Sequence, residues 1–222
     1  MSPITSTRLS LFLVCLAFLV PRASAQEWDH ELWLDQRFSF PLSPMTFLRL
    51  RLSQRADENV SHLFEAFVQV DIGFHVRPWL TLMPGFLHDR QDPLNQKSRF
   101  ENRPQLAILL YTRRERWRPN LQVLVEGRFL QDEPGFARFP LRPGVEYDLL
   151  TYRERPVVVF FSNEFAFDSR AGRFSRNQFQ VGISLPATRR FSINTYYLIE
   201  SKRLRDLWDH HNIWGLSFWW RS

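Results

Sequence analysis

The chain has 222 residues, 44% of them hydrophobic and 23% charged, which is too apolar for a disordered segment and sufficient for one sizeable domain. Its single cysteine, Cys15, excludes a disulfide framework and a cysteine-based metal centre. The formal net charge of +6 does not imply nucleic acid, because the arginines are scattered along the chain and only Lys97 and Lys202 are lysines.

Read from the N-terminus, the first element is an export signal. Arg8 supplies a positive start, residues 9–20 an apolar run, and Ala23, Ser24 and Ala25 a small-residue cleavage site before Gln26. The run is too short for a spanning helix. Residues 1–25 are therefore expected to be a signal peptide and residues 26–222 a single domain. Cys15 would leave with the signal, as would Arg8 and Arg22.

Nowhere after that point do eighteen apolar residues follow one another, so the hydrophobic content must be buried by strands. Alternation between turn signals gives candidate strands at 32–40, 47–53, 62–77, 80–88, 103–112, 120–130, 139–149, 157–167, 176–185, 191–200 and 212–220. The clearest is the third, where Phe64, Ala66, Val68, Val70, Ile72, Phe74 and Val76 alternate with Glu65, Gln69, Asp71, Gly73 and His75. Strands of about ten residues cross a bilayer when tilted.

The connectors alternate in length. Residues 201–211 read as a long polar loop and residues 89–102 as the longest, whereas 186–190, 151–156 and 77–79 read as short turns. Long and short connectors belong on opposite rims of a transmembrane barrel. An odd strand count would leave the first strand starting at the wrong rim, so residues 28–40 are expected to contribute either no barrel strand or two. The expected fold is an all-β, antiparallel up-and-down transmembrane β-barrel of 10 or 12 strands in the bacterial outer membrane, reached through the general secretory pathway.

Period two does not say which face is outside, since a soluble barrel uses it with the apolar face inward. The last strand favours the membrane. Trp214, Leu216, Phe218 and Trp220 share one face, with Gly215 three and five residues before Phe218 and Trp220, although Ile213 stands where a polar residue is usual. Such a terminal strand resembles the signal read by the barrel assembly machinery. That machinery and outer-membrane lipids are the expected partners, and a soluble periplasmic barrel is the alternative.

With the apolar face outward, the inward residues form a list of both charge signs. Arg49, Arg51, Glu65, Asp71, Glu101, Arg103, Glu126, Arg128, Arg142, Glu146 and Glu164 are the candidate lumenal charge network. Spacing of two puts Glu126 with Arg128, and Glu101 with Arg103, on one face, where carboxylates and guanidiniums can interleave across strands. Such pairs rigidify a narrow barrel first and set the selectivity of a small pore second.

The pattern resembles the domain of unknown function 2490 family, a group of uncharacterised bacterial outer-membrane barrels. The residues that carry the resemblance are Trp33; Gly85 running into His88, Asp89 and Arg90; Glu101, Asn102 and Arg103; Glu126, Gly127 and Arg128; Glu164 and Phe165; Asn177 with Gly182; Tyr197; and His211. Gln178 and Asn102 depart from the family's pattern and predict a rearranged charge network there. The resemblance implies an outer-membrane barrel without an established substrate.

No catalytic, cofactor-binding or metal-binding residues are assigned. His30, His62, His75, His88, His210 and His211 form no dyad legible in sequence, since Ser61 and His62 point opposite ways on a strand. His210 and His211 with Asp206 or Asp209 are a metal-ligand pattern of low specificity. The function expected is a structural or narrow-pore barrel. The alternative is a barrel that binds or modifies outer-leaflet lipid through its loops, above all residues 206–211.

Overall fold

Branched and aromatic residues alternating with charged and small ones keep the backbone extended through long stretches of this chain. The computed structural model describes residues 30–57, 60–94, 97–204 and 207–222. The expected signal peptide lies outside these residues, and so does Asp206. The strands are β1 (His30–Ser43), β2 (Thr46–Asp57), β3 (His62–Arg77), β4 (Leu80–Gln91), β5 (Arg99–Tyr111), β6 (Trp117–Leu130), β7 (Phe136–Tyr152), β8 (Arg155–Asp168), β9 (Arg173–Pro186), β10 (Phe191–Leu204) and β11 (Leu207–Arg221). Among the described residues there is no helix.

Each strand pairs antiparallel with the next, and β1 closes the barrel against β11 in parallel. The count is eleven, not 10 or 12, and the sheet is mixed. The reason lies in β1, a single 14-residue strand that pairs with β2 on one side and, from His30↔Asn212 to Ser39↔Arg221, with β11 on the other. Odd parity is accommodated by this parallel seam, so β1 starts at one rim and the C-terminus ends at the other. We call these the N-terminal and C-terminal rims.

Parallel pairing is slightly weaker per residue than antiparallel pairing. Inside the seam Trp33, Tyr196, Leu198 and Ile213 form a buried apolar cluster with Phe160 against it. Ile213, the odd apolar residue of the last strand, anchors this cluster and is fully buried. Gly215 makes room for it, since a Cβ there would lie 1.9 Å from the Tyr196 ring.

The connectors are shorter than the sequence suggests. β10 and β11 pair from Leu204↔Leu207 onward through Lys202↔Asp209 and Ser201↔His210, so the expected polar loop over 201–211 is mostly a strand hairpin. Likewise β4 reaches Gln91 and β5 begins at Arg99, which absorbs both ends of the expected loop over 89–102. Polar composition suggested loops there, but the strands continue beyond the apolar band with polar side chains on both faces.

On β3, Val68 and Val70 are 45% and 42% exposed whereas Gln69 and Asp71 are 6% and 1% exposed. The apolar set therefore faces outward and the charged set inward, the reverse of a soluble barrel. Trp214 and Trp220 of β11 are exposed on the same outer surface.

Candidate functional site

Alternation along eleven strands delivers one inward side chain every second residue, and barrel closure brings those side chains within reach of one another. Two cavities result. The upper, of about 540 Å³, lies toward the N-terminal rim, and the lower, of about 280 Å³, reaches the C-terminal rim. Arg37, Gln122, Arg142, Gln180 and Tyr196 line both and form the waist between them.

Most of the predicted charge network surrounds the upper chamber, in cross-strand pairs. Arg49 meets Asp71 at 2.8 Å, and Asp71 also accepts from Gln69 and from Gln105 at 3.0 Å. Gly85 permits this convergence, because a Cβ at that position would lie 2.0 Å from Asp71 Oδ1. Arg51 meets Asp35 at 2.8 Å, and Arg55 meets Glu65 at 2.5 Å while lying over the Trp33 ring. Arg103 bridges Asp89 and Glu101 at 2.8 and 2.7 Å, and Arg128 donates to the same Glu101. Glu164 accepts from Arg142 and Arg176, each at 2.5 Å.

The pairing differs from the one that spacing suggests. Glu126 and Arg128 share a face but not a bond: Glu126 accepts from Arg138 of β7 at 2.7 Å, and Arg128 reaches back to β5. Gln178, a departure from the family pattern, donates to Glu200 at 2.6 Å inside the lumen. Asn102, the other departure, is not lumenal. It pairs with His88 at 2.9 Å, and both are exposed.

Sequence reasoning missed Asp35, Arg37, Arg55, Asp89, Arg138, Arg176 and Lys202. Asp35 and Arg37 lie on the strand whose existence the parity argument put in doubt. Asp89 had been placed in a loop, and the others lie at or beyond the estimated strand ends. Longer strands with unchanged parity would have found all but the β1 pair.

The lower chamber is different in charge. Arg37, Arg118, Arg142, Arg155 and Arg221 line it, and Glu146 is its one acidic lining residue. Arg118 binds Asp148 at 2.7 Å and Glu146 at 3.4 Å, while Arg155 donates to the carbonyls of Thr188 at 3.1 Å and Arg189. Arg37 has no carboxylate within salt-bridge distance among the described residues and stacks over Trp219, 4.8 Å from the ring centroid. Glu146 is thus the one predicted network residue that belongs to the lower chamber alone.

Buried pairs of this kind stabilise little in net terms, because both charges lose hydration, but deleting one partner strands the other at a high cost. The upper network therefore braces neighbouring strands of the wall by making the loss of any single member costly.

The histidines near the N-terminal rim divide between the faces. His211 bridges Glu31 at 2.9 Å and Asp209 at 2.8 Å, while His210 accepts or donates at 2.9 Å with Ser201 Oγ across the hairpin. Among the described residues no three metal-ligating side chains cluster.

A family model described as protein of unknown function (DUF2490) matches residues 30–211, from the first residue of β1 into β11. No curated protein matches the chain.

Proposed function

The chain belongs to the DUF2490 family of proteins of unknown function, and from that premise we propose that it is an integral outer-membrane β-barrel whose charged lumen braces the wall around a narrow polar path. The observation that carries this reading is the outward apolar band on a closed sheet. From Ala66 to Val76 the outward side of β3 is continuously apolar over ten residue steps, about 33 Å along the strand. At a tilt of about 40° that is about 25 Å across, the height of an outer-membrane barrel's apolar band. Exposed aromatics occur toward both rims, Trp79, Trp117 and Tyr152 at one and Phe129, Phe174 and Trp208 at the other, as interfacial girdles require. The export-signal pattern over residues 1–25 and the aromatic last strand support delivery by the secretory pathway and insertion by the barrel assembly machinery.

The test is reconstitution. Protein refolded in detergent and added to a planar bilayer is expected to insert and to give small, salt-dependent conductance steps. A chain that stays monomeric and folded in water without detergent would overturn the membrane reading in favour of a soluble periplasmic barrel.

One observation favours a second reading, an enzyme acting on outer-leaflet lipid. Ser201 and His210 face each other across the β10–β11 hairpin at 2.9 Å, where a hydroxyl can be activated by an imidazole. Under this reading Ser201→Ala changes the lipid profile of the host envelope by mass spectrometry, and an unchanged spectrum counts against it.

A further inference from the structure

The lower chamber carries an arrangement that the brace of the upper chamber does not explain. Arg37 of β1 and Trp219 of β11 are register partners across the parallel seam. Their Nε and Nε1 donors are both buried and have no hydrogen-bond acceptor among the described residues. Buried donors are normally satisfied. Arg55, Arg103, Arg118 and Arg176 also leave Nε unsatisfied, but each is held by a carboxylate through another nitrogen. Arg37 has no such partner among the described residues, and its orphan lies beside a second one, a pair that asks for an acceptor.

The charge of the cavity says what kind of acceptor. Around it Arg118, Arg142, Arg155 and Arg221 join Arg37 against the single carboxylate of Glu146. Arg118 and Arg142 are already engaged by Asp148 and Glu164, but Arg155 is held only by backbone carbonyls, and Arg221 has no carboxylate within salt-bridge distance among the described residues. Arginine forks match planar or tetrahedral oxyanions, and a cavity with low-dielectric walls concentrates the field of unpaired cations. Its volume, about 280 Å³, suits an anion of a few heavy atoms.

We propose that the chamber at the C-terminal rim is a binding site for a small oxyanion of the phosphate type, held by Arg37 and the Trp219 indole N–H at its inner end and by Arg155 and Arg221 at the rim. The site goes beyond the pore reading and does not depend on it, since the same cavity exists whether the barrel stands in lipid or in detergent. Inorganic phosphate and the phosphodiester of a lipid headgroup share the required chemistry.

Calorimetric titration of the protein in a non-ionic detergent distinguishes them, with inorganic phosphate in one arm and soluble glycerophosphoglycerol in the other. Saturable binding is expected in at least one arm, and the tighter arm names the source. Arg37→Gln is expected to weaken binding by about tenfold, and Trp219→Phe, which keeps the ring but removes the donor, by a smaller factor. Arg221→Gln is a rim variant that leaves the waist intact and is expected to weaken binding about threefold, so the test survives a folding defect at Arg37. Arg90→Gln, at an exposed arginine of the opposite rim that pairs with Asp92, is the control. Absence of binding in both arms, or equal affinity in wild type, Arg37→Gln and Arg221→Gln, overturns the site. Retained phosphate binding by a protein that fails to enter bilayers overturns the membrane reading and leaves the site standing.

Discussion

Arg103 of β5 and Arg37 of β1 are both lumenal guanidiniums of one barrel, yet Arg103 touches Asp89 at 2.8 Å and Glu101 at 2.7 Å, whereas Arg37 lies over the Trp219 ring with no carboxylate within salt-bridge distance among the described residues. The contrast extends to the chambers they line. Around the upper one Asp35, Glu65, Asp71, Glu101, Glu126 and Glu164 each hold an arginine, while five arginines face one glutamate around the lower. The same residue type serves as a brace where acids are supplied in register and as an open positive surface where they are not.

The sharpest way to break the brace is Glu101→Ala, which strands Arg128 and leaves Arg103 with Asp89 as its close partner. It is expected to cost about 3–5 kcal/mol, read as loss of the folded, heat-modifiable form or a large drop in the denaturant midpoint. A cost below about 1 kcal/mol would mean that solvent hydrates the upper pairs. Gly85→Ala comes next. Its Cβ meets Asp71 Oδ1 at 2.0 Å and the Val70 carbonyl at 2.8 Å, so Asp71 must leave Arg49 and Gln105, with an expected loss of about 1–3 kcal/mol by the same measurement.

Arg37→Gln probes the other side of the comparison. It leaves no acid newly orphaned, because Asp35 keeps Arg51, and its effect on folding is expected within about 1 kcal/mol of zero. A loss as large as that of Glu101→Ala would make Arg37 part of the brace. The smallest effect is expected from Glu146→Gln, which removes the lower chamber's one lining carboxylate. Stability should change by less than about 0.5 kcal/mol, while phosphate binding tightens a few-fold at low salt and less at high salt; unchanged binding would show that Glu146 does not tune the chamber.

Much of the barrel was legible because alternation is a local property. Phe64 to Val76 fixes a two-faced strand without reference to any partner, and Trp214 to Trp220 does the same at the other end. The strand ends were not legible. Lys202 and Asp209, or Asp89 and Glu101, read as loop residues by composition, yet they are register partners in extended hairpins. The lumenal list shows the same division: Glu126 was assigned its face correctly, but its partner proved to be Arg138, from a segment read as a connector.

The sequence by itself determined that this chain builds one sheet with an apolar and a charged face and an aromatic last strand, because period two needs only neighbours along the chain. Tertiary structure alone decided that the apolar face lies outside, that eleven strands close through a parallel seam, and that the arginines divide between a chamber of matched charges and one with arginine in excess. Those outcomes depend on cross-strand register around a closed ring, which places residues 182 positions apart, Asp35 and Ser217, side by side, and no local pattern encodes that separation.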